Sequence, residues 1–314
     1  MKKTILIILD GWGWANPWGG NAIVSAKTPN FDHFWTKFPH NLLKAHGVWV
    51  GLPDDEMGNS EVGHLNLGAG RKIIQILTRI NQSIRDGSFF ENKAFLKAVS
   101  WAKSKNSALH LMGLLSTGGV HADFSHLVAL LQLAKKYEME KLFLHLFLDG
   151  RDMPPDSGLE LVMKLKEEMA KIQIGQIASL AGRFFAMDRD KRWERTQKAY
   201  QAIIGQAGQK EAKAERAIAK SYKKGIFDEY LEPVILIDPT TKKPIGPVQK
   251  NDAVIFFNFR EDRARQLTRA FLDPNFKEFP RKKITPLFFV TMTLYDYELK
   301  PRPEIAFPLP HFPN

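Results

Sequence analysis

Residues 57–70, MGNSEVGHLNLGAG, combine a serine, a glutamate and a histidine with several small residues. Glycine loses more conformational entropy on folding than other residues, so a glycine-rich segment in a folded region usually meets a steric demand. Ser60 lies within this segment, and the N-terminus of a helix is a place where N–H groups and the helix dipole favour a phosphate. The segment predicts a phosphoryl-binding serine, and the alternative is a serine that only caps a helix.

The motifs around Ser60 exclude two common phosphate and acyl chemistries. The segment lacks the second glycine of G-x-S-x-G and the Gly-Lys-Ser/Thr of a P-loop. A hydroxyl becomes a good nucleophile only when a base or a metal ion activates it. Asp10 follows the apolar run ILIIL, and ligands of α/β sheets gather at the carboxyl ends of strands. Asp10 is therefore a candidate metal ligand, although Asp-Gly is also a common turn pair.

Arginines recur after apolar runs throughout the rest of the chain. The segments are STGGVHAD with His121, FLDGRDMPP with Arg151 and Asp152, SLAGRFFAMDRDKRW with Arg183 and Arg189, and FFNFREDRAR with Arg260 and Arg263. Arginine forms bidentate hydrogen bonds to phosphate and carboxylate groups. If these side chains converge, they predict a site for a small, multiply anionic molecule. The alternative is a set of surface ion pairs with Asp152, Asp190 or Asp262.

Apolar, β-branched runs alternate with amphipathic helical patterns, which predicts an α/β protein with a largely parallel sheet. Ser157 is the predicted cap of the third helix. The predicted strands are residues 4–9, 108–115, 142–148, 174–180, 253–259 and 284–293, and the predicted helices are residues 92–103, 126–137, 158–170, 192–204 and 211–220.

Composition limits the class of protein. The chain has 314 residues, 44% of them hydrophobic, which is enough for about two domains. It has no cysteine, so thiolate chemistry and disulfides are excluded. The apolar run at the start is too short for a signal peptide, and no run approaches membrane-spanning length, so we expect a cytoplasmic protein without a membrane partner. The net charge of +11 comes without a nucleic-acid-binding module, so no nucleic-acid partner is expected.

Five segments carry a resemblance to a known family. MGNSEVGHLNLGAGR, GGVHADFSH, FLDGRDMPP, GRFFAMDRDKRWER and FFNFREDRARQLTRAF resemble, in order and spacing, the signature segments of the cofactor-independent phosphoglycerate mutases. The resemblance covers essentially the whole chain. It implies the glycolytic interconversion of 3-phosphoglycerate and 2-phosphoglycerate through a phosphoserine intermediate, with two divalent metal ions, usually Mn²⁺, and no requirement for 2,3-bisphosphoglycerate. It also implies an alkaline-phosphatase-like domain with an inserted α/β transferase domain.

The resemblance assigns a role to each matching residue. Ser60 is the nucleophile and also a metal ligand, and Asp10 is a ligand of the same metal ion. The implied substrate-binding residues are His121, Arg151, Asp152, Arg183, Arg189, Arg260 and Arg263. Asp152 is in addition a candidate for proton transfer to the glycerate hydroxyls. Thr117 and Met153 depart from the family pattern, which more often has aspartate and threonine at these positions.

The resemblance also implies a domain organisation. Residues 1–75 would form the first part of the phosphatase-like domain, residues 76–305 the transferase domain, and residues 306–314 the start of the return to the first domain. Family members are longer, and their remaining metal ligands and a phosphoryl-contacting lysine lie beyond residue 314. We therefore expect an incomplete phosphatase-like domain that is inactive by itself, and a monomer when the protein is full length.

Two alternatives to a mutase remain open at this point. One is a metal-dependent phosphatase or phosphopentomutase of the same superfamily, and the other is an anion-binding fragment without turnover. A mutase must retain its glycerate between two phosphoryl transfers, which several arginines in a closed cleft would achieve by positioning and by excluding water. A hydrolase has no such requirement, so the repeated arginines favour the mutase.

Overall fold

The computed structural model describes residues 3–54 and 56–309, in two compact units. The N-terminal unit is Met1–Arg79 and the C-terminal unit is Ile80–Asn314. The boundary falls within a helix that spans Ile76–Asp86. Residues 310–314 of the predicted return segment 306–314 lie outside the described residues.

The described part of the N-terminal unit contains helices but no strand. They are the α-helices α1 (Ala22–Ser25), α2 (Pro29–Lys37), α3 (Ser60–Ala69) and the start of α4 (Ile76–Asp86), with a short 3-10 helix at Gly47–Val50. The prediction of a strand at residues 4–9 is wrong for this structure, because the run is irregular and exposed, with Ile5 84% and Leu6 77% exposed. A strand needs a hydrogen-bonded neighbour, and the described residues of this unit offer none to the run. Its small core includes Val50, Leu52 and Val62.

The C-terminal unit is built on one eight-stranded sheet. Its order is β4-β5-β3-β2-β1-β6-β7-β8. The strands are β1 (Leu109–Leu115), β2 (Leu142–Leu148), β3 (Gln176–Gly182), β4 (Gln209–Glu211), β5 (Val234–Leu236), β6 (Ala253–Phe256), β7 (Phe288–Thr291) and β8 (Glu304–Ile305). All neighbouring pairs are parallel except β3 and β5. The predicted α/β fold with a largely parallel sheet is confirmed.

The central strands are apolar along their whole length because both faces of the sheet are covered. Every residue of β1 is buried, and so is nearly all of β2. Parallel strands covered by helices on both faces read as continuous apolar runs, which is why β1 and β2 were predictable. The short strands β4, β5 and β8 were not predicted, since two or three residues carry too little pattern.

Helices connect and flank the strands. They are α5 (Lys93–Ser104), α6 (Phe124–Lys136), α7 (Gly158–Ile172), α8 (Arg183–Ala186), α9 (Trp193–Ile203), α10 (Ala214–Tyr222) and α11 (Arg265–Leu272). The five predicted helices are confirmed, with ends shifted by at most three residues. The predicted cap Ser157 precedes α7, but its hydroxyl donates to the Pro154 carbonyl (2.9 Å) and makes no capping bond. None of the helices in the described residues is long and apolar enough to cross a bilayer.

A buried chain of polar side chains crosses the sheet. Oδ2 of Asp252 lies 3.1 Å from Nε2 of His110, and Nδ1 of His110 lies 3.0 Å from Nε2 of His145. Nδ1 of His145 lies 2.8 Å from the Ser179 hydroxyl. One proton on Nε2 of each histidine and a donating serine satisfy every link. Burial and the neighbouring His110 hold the pKa of His145 well below its usual value.

His126 gives the fold a testable pH dependence. The ring on α6 is fully buried, packs edge-on against Phe259, and donates from Nε2 to the Asn81 side-chain oxygen (2.8 Å). Burial lowers its pKa to about 4. The unfolded chain binds a proton here below about pH 6.5, whereas the folded chain does not until about pH 4. Folding stability is therefore lost as the pH falls through this window, by up to about 1.4 kcal/mol per pH unit for one such group.

We expect His126→Gln to remove this contribution, because glutamine does not titrate. Denaturant unfolding at several pH values between 4 and 7 should give a shallower dependence of the unfolding free energy on pH for the variant than for the parent chain. Equal slopes in the two proteins would contradict the assignment.

Candidate functional site

In the N-terminal unit, Ser60 is the first residue of α3, but it does not cap the helix. Asn59 is the cap, and its side-chain oxygen accepts from the backbone N–H of Val62 (3.0 Å). The Ser60 hydroxyl instead donates to Oδ2 of Asp10 (2.7 Å). The residue that caps the helix is therefore Asn59 and not Ser60. Ser60 and Asp10, candidates from separate segments of the sequence, are in direct contact.

A histidine and a glycine define the surroundings of this pair. Nδ1 of His64 donates to the Ser60 carbonyl (2.8 Å) and lies 3.3 Å from the Ser60 hydroxyl. Gly58 has a steric reason, because a Cβ there would lie 1.7 Å from the Ala45 carbonyl oxygen. Gly58 thus allows a close backbone approach, whereas a Cβ at Gly63, Gly68 or Gly70 would meet nothing within 4 Å, so only the first glycine of the segment meets a steric demand from a neighbouring backbone.

The donor chemistry of this pair fits part of a metal site. A carboxylate and a serine oxygen are hard ligands of the kind that Mg²⁺ and Mn²⁺ accept. Within residues 3–54 and 56–309, no three His, Cys, Asp or Glu side chains are grouped so as to hold a metal ion. Asp10 and Ser60 are two oxygen donors, fewer than a divalent metal ion takes.

In the C-terminal unit, the predicted anion-binding residues follow four neighbouring strands. His121 comes after β1, Arg151 and Asp152 after β2, and Arg183 directly after β3. Arg260 and Arg263 come after β6. Because β3, β2, β1 and β6 are adjacent and parallel, their carboxyl ends lie along one edge of the sheet. The topology explains how distant segments reach one place.

Arg183 is the buried centre of the group. Its side chain is 3% exposed, and its Nη1 donates to Oδ1 of Asp149 (2.6 Å) and to Oδ2 of Asp152 (2.5 Å). Burial opposes its charge, but the bonds to Asp152 and Asp149 outweigh that effect and raise its pKa. Charge-assisted hydrogen bonds of this kind are the strong ones in proteins.

Asp262 links three more of the predicted residues. Its Oδ2 accepts from Arg189 (2.7 Å), and its Oδ1 lies 3.2 Å from Nε of Arg260. Nδ1 of His121 lies 3.6 Å from the same Oδ1. Burial alone would raise the pKa of Asp262, but the Arg189 hydrogen bond and the Arg260 charge hold it below its usual value.

His121 is buried in this network and is neutral at physiological pH. Burial and the charge of Arg183 lower its pKa to about 4. Its Nε2 lies 4.0 Å from Oδ2 of Asp152. Nδ1 of His121 and Oδ1 of Asp262 are buried without a hydrogen-bond partner. Buried polar atoms are usually satisfied, so this pair marks a place where a ligand or a water would bind.

Two further arginines complete the group. Nη1 of Arg263 donates to the Met187 carbonyl (3.3 Å), and burial together with the charges of Arg189, Arg183 and Arg151 lowers its pKa. Nη1 of Arg151 lies 3.5 Å from Glu229. Contacts through Asp152 and Asp262 join His121, Arg183, Arg189 and Arg260, whereas the side chains of Arg151 and Arg263 are held separately by Glu229 and the Met187 carbonyl. Asp152 and Asp262 do serve as ion-pair partners, as the alternative interpretation required, but they pair within a single converging cluster.

Several residues of this network were not singled out from the sequence. Asp149 and Ser116 lie at the ends of β2 and β1, and Ser116 donates to Oδ2 of Asp149 (2.6 Å). Glu229 and the Met187 carbonyl hold arginines from distant segments. Of these residues, only Asp149 could have been found from the sequence, because it directly follows an apolar strand and precedes Gly150.

The two departures from the family pattern touch each other. The Thr117 hydroxyl donates to the Met153 sulfur at 3.2 Å. Met153 directly follows Asp152, so this contact joins the loop after β1 to the loop after β2. The two residues therefore link the loops through a hydrogen bond to a weak sulfur acceptor.

Comparison with known proteins identifies relatives of both units. A family model described as BPG-independent PGAM N-terminus (iPGM_N) matches residues 80–297. A 2,3-bisphosphoglycerate-independent phosphoglycerate mutase from Clostridium perfringens (strain SM101 / Type A) is 50% identical over 299 residues, which are 95% of this chain and 58% of the relative. A protein from Methanosarcina barkeri, named 2,3-bisphosphoglycerate-independent phosphoglycerate mutase 1, is 50% identical over 98% of this chain and 59% of the relative.

A solved structure is also similar. The crystal structure of Leishmania mexicana phosphoglycerate mutase at low cobalt concentration matches with a TM-score of 0.77 and 33% identity, over 90% of this chain and 53% of that one. The chain thus spans slightly more than half the length of the relatives it matches.

Proposed function

Because the chain belongs to the family described as the BPG-independent PGAM N-terminus, we propose that it supplies the nucleophile and the substrate-binding residues for interconverting 3-phosphoglycerate and 2-phosphoglycerate. The observation that carries the proposal is the convergence of five guanidinium groups with neutral His121 along one sheet edge. Phosphoglycerate offers a phosphate and a carboxylate, the two groups that arginine binds in bidentate fashion.

In this proposal the C-terminal unit holds the glycerate. Arg151, Arg183, Arg189, Arg260 and Arg263 bind its anionic groups and keep it from escaping between the two phosphoryl transfers. Asp152, whose Oδ2 lies 4.0 Å from Nε2 of His121, takes and returns the proton of the glycerate hydroxyls. Nδ1 of His121 and Oδ1 of Asp262, which make no hydrogen bond to the protein, are available to a hydroxyl of the ligand.

In the N-terminal unit, Ser60 accepts the phosphoryl group and becomes phosphoserine. Its hydroxyl donates a hydrogen bond to Oδ2 of Asp10 (2.7 Å), which orients the serine oxygen and offers an acceptor for its proton. The start of α3 favours the negative charge that arrives there. Asp10 and Ser60 would hold one of two divalent ions, with Mn²⁺ as the expected metal. The ions would lower the pKa of the hydroxyl and neutralise phosphoryl charge. The solved relative at low cobalt concentration supports a metal requirement.

The proposal includes the domain organisation. Residues 1–75 and 306–314 belong to a phosphatase-like domain, and residues 76–305 form the transferase domain. The matched relatives are much longer than this chain, which covers 58% of the Clostridium perfringens protein. The partial ligand set at Asp10 and Ser60 supports the view that further ligands come from a segment equivalent to the uncovered part.

A chimera tests the proposed function. It joins this chain to the part of the Clostridium perfringens relative that the chain does not cover, and ³¹P NMR follows 3-phosphoglycerate with Mn²⁺ present. We expect isomerisation to 2-phosphoglycerate, with the Clostridium perfringens protein as the positive control. Faster release of inorganic phosphate than isomerisation would support a phosphatase instead, and turnover of a pentose phosphate alone would support a phosphopentomutase.

The two arginines that follow β6 give a graded prediction. Arg260→Lys and Arg263→Lys should each weaken 3-phosphoglycerate binding by about 1.5–3 kcal/mol, because lysine cannot replace a bidentate charged hydrogen bond. Isothermal titration of the chain with 3-phosphoglycerate measures the change. A matched control is Arg216→Lys, since Arg216 pairs with Glu211 and is 65% exposed outside the cluster. Unchanged affinity in both cluster variants would show that these arginines do not bind the ligand and serve only as surface ion pairs.

A further inference from the structure

Asp149 is a buried carboxylate at the centre of the loops that carry the cluster. It is the first residue after β2 and is 1% exposed. The chain turns sharply at Gly150, whose φ of +66° is a backbone conformation that favours glycine. A larger residue would also clash there, since a Cβ would lie 2.8 Å from the backbone nitrogen of Glu229. The turn places the backbone of the next two residues against the carboxylate.

Both oxygens of Asp149 are occupied by protein donors. Oδ1 accepts from Nη1 of Arg183 (2.6 Å) and from the backbone N–H groups of Arg151 (3.2 Å) and Asp152 (3.0 Å). Oδ2 accepts from the Ser116 hydroxyl (2.6 Å), whose oxygen in turn accepts from the Gly118 N–H (3.0 Å). One carboxylate therefore ties together the loops after β1, β2 and β3.

This arrangement fixes the orientation of Arg183 without using up its donors. Both of its bonds to carboxylates leave from Nη1. The N–H groups of its Nε and Nη2 remain available to donate to an anion, and the planar guanidinium fixes their relative directions. Burial alone would raise the pKa of Asp149, but the bonds from Ser116, the Asp152 N–H and Arg183 lower it, so the carboxylate stays ionised.

We propose that Asp149 is a positioning residue of the phosphoglycerate site, which sets the Arg183 guanidinium and the Arg151–Asp152 backbone for the ligand. The proposal rests on the proposed function. Asp149 itself makes no contact with the ligand, because its oxygens are buried and filled. The loops after β1, β2 and β3 all donate hydrogen bonds to this one negative charge. An uncharged side chain of the same shape should therefore weaken the attachment of all three loops together.

The test is Asp149→Asn in the full chain. Isothermal titration with 3-phosphoglycerate should show affinity lower by about tenfold to a hundredfold, the range for lost charged hydrogen bonds. The matched control is Asp252→Asn. Asp252 is also buried and accepts backbone N–H groups, from Ala108 and Gln249, but at the start of β6 rather than after a strand. The control should lose stability yet keep the parent affinity.

A second readout separates positioning from general destabilisation. The Arg183 ¹H–¹⁵Nε NMR signal, assigned by its loss in Arg183→Lys, should shift or broaden in Asp149→Asn and stay in place in Asp252→Asn. Parent affinity or an unmoved Arg183 signal in Asp149→Asn would overturn the proposal. If the parent chain does not bind 3-phosphoglycerate, the proposed function fails, and the NMR signal still decides the role of Asp149.

A milder variant covers the case in which Asp149→Asn does not fold. Ser116→Ala keeps the carboxylate but removes the donor to its Oδ2. We expect affinity about threefold to tenfold lower, a smaller loss than in Asp149→Asn because the carboxylate keeps its charge and its other donors, with a smaller shift of the Arg183 signal. Parent values for both would overturn the proposal.

Discussion

Arg183→Ala is expected to abolish measurable binding of 3-phosphoglycerate and to destabilise the C-terminal unit by about 3–5 kcal/mol, the range for breaking a buried ion pair. Arg183 is 3% exposed, and its Nη1 joins Asp149 and Asp152. Removing it leaves two carboxylates that burial and mutual repulsion disfavour. It also removes the guanidinium that the loops after β1 and β2 hold in place.

Isothermal titration measures the binding, and denaturant unfolding measures the stability. Arg216→Ala is the control, because this exposed arginine on α10 pairs only weakly with Glu211 (3.7 Å) and should leave both quantities unchanged. The titration is run under conditions where the variant is folded, as judged by circular dichroism. Parent affinity in folded Arg183→Ala would contradict the central place given to this residue.

Ser60→Ala is expected to remove isomerisation by the chimera almost completely while leaving 3-phosphoglycerate binding in place. The alanine offers no oxygen to the phosphoryl group, and loss of a nucleophile of this kind lowers turnover by several orders of magnitude. Acid quenching followed by mass spectrometry should find phosphate on Ser60 in the parent chimera. None should be found on residue 60 in the variant.

The chain offers a close control for this substitution. The Ser88 hydroxyl also donates to an aspartate, Asp86, at 2.6 Å, and is exposed like Ser60. Ser88→Ala should keep both the trapped phosphate on Ser60 and the turnover. Substantial mutase activity in Ser60→Ala would show that another group accepts the phosphoryl.

Much of the C-terminal unit could be predicted because its signals are local. β2 was predicted at its observed limits, since a strand buried on both faces is apolar at every position. His121 after β1 and the arginines after β2, β3 and β6 were visible as a recurrence of polar residues behind apolar runs. That they converge depends on these strands being neighbours and parallel, which the order of the strands decides and local sequence does not.

The predictions that failed concern features that depend on residues far away in the sequence rather than on a local pattern. Residues 4–9 have the composition of a strand, but a strand exists only where a neighbour accepts its hydrogen bonds. The role of Asp149 could not be read, because its donors come from Ser116 and Arg183 on other segments. Ser157 was predicted from its type, yet a nearer carbonyl, that of Pro154, takes its hydroxyl.

We propose that the sheet edge carrying His121, Arg183 and Asp262 is a phosphoglycerate site. The most direct measurement is isothermal titration of the full chain with 3-phosphoglycerate, beside glycerate and inorganic phosphate at matched ionic strength. We expect saturable one-to-one binding of 3-phosphoglycerate, weaker binding of the two partial ligands, and loss of binding in Arg183→Ala but not in Arg216→Ala. Equal affinity for all three ligands, or binding that Arg183→Ala leaves intact, would contradict it.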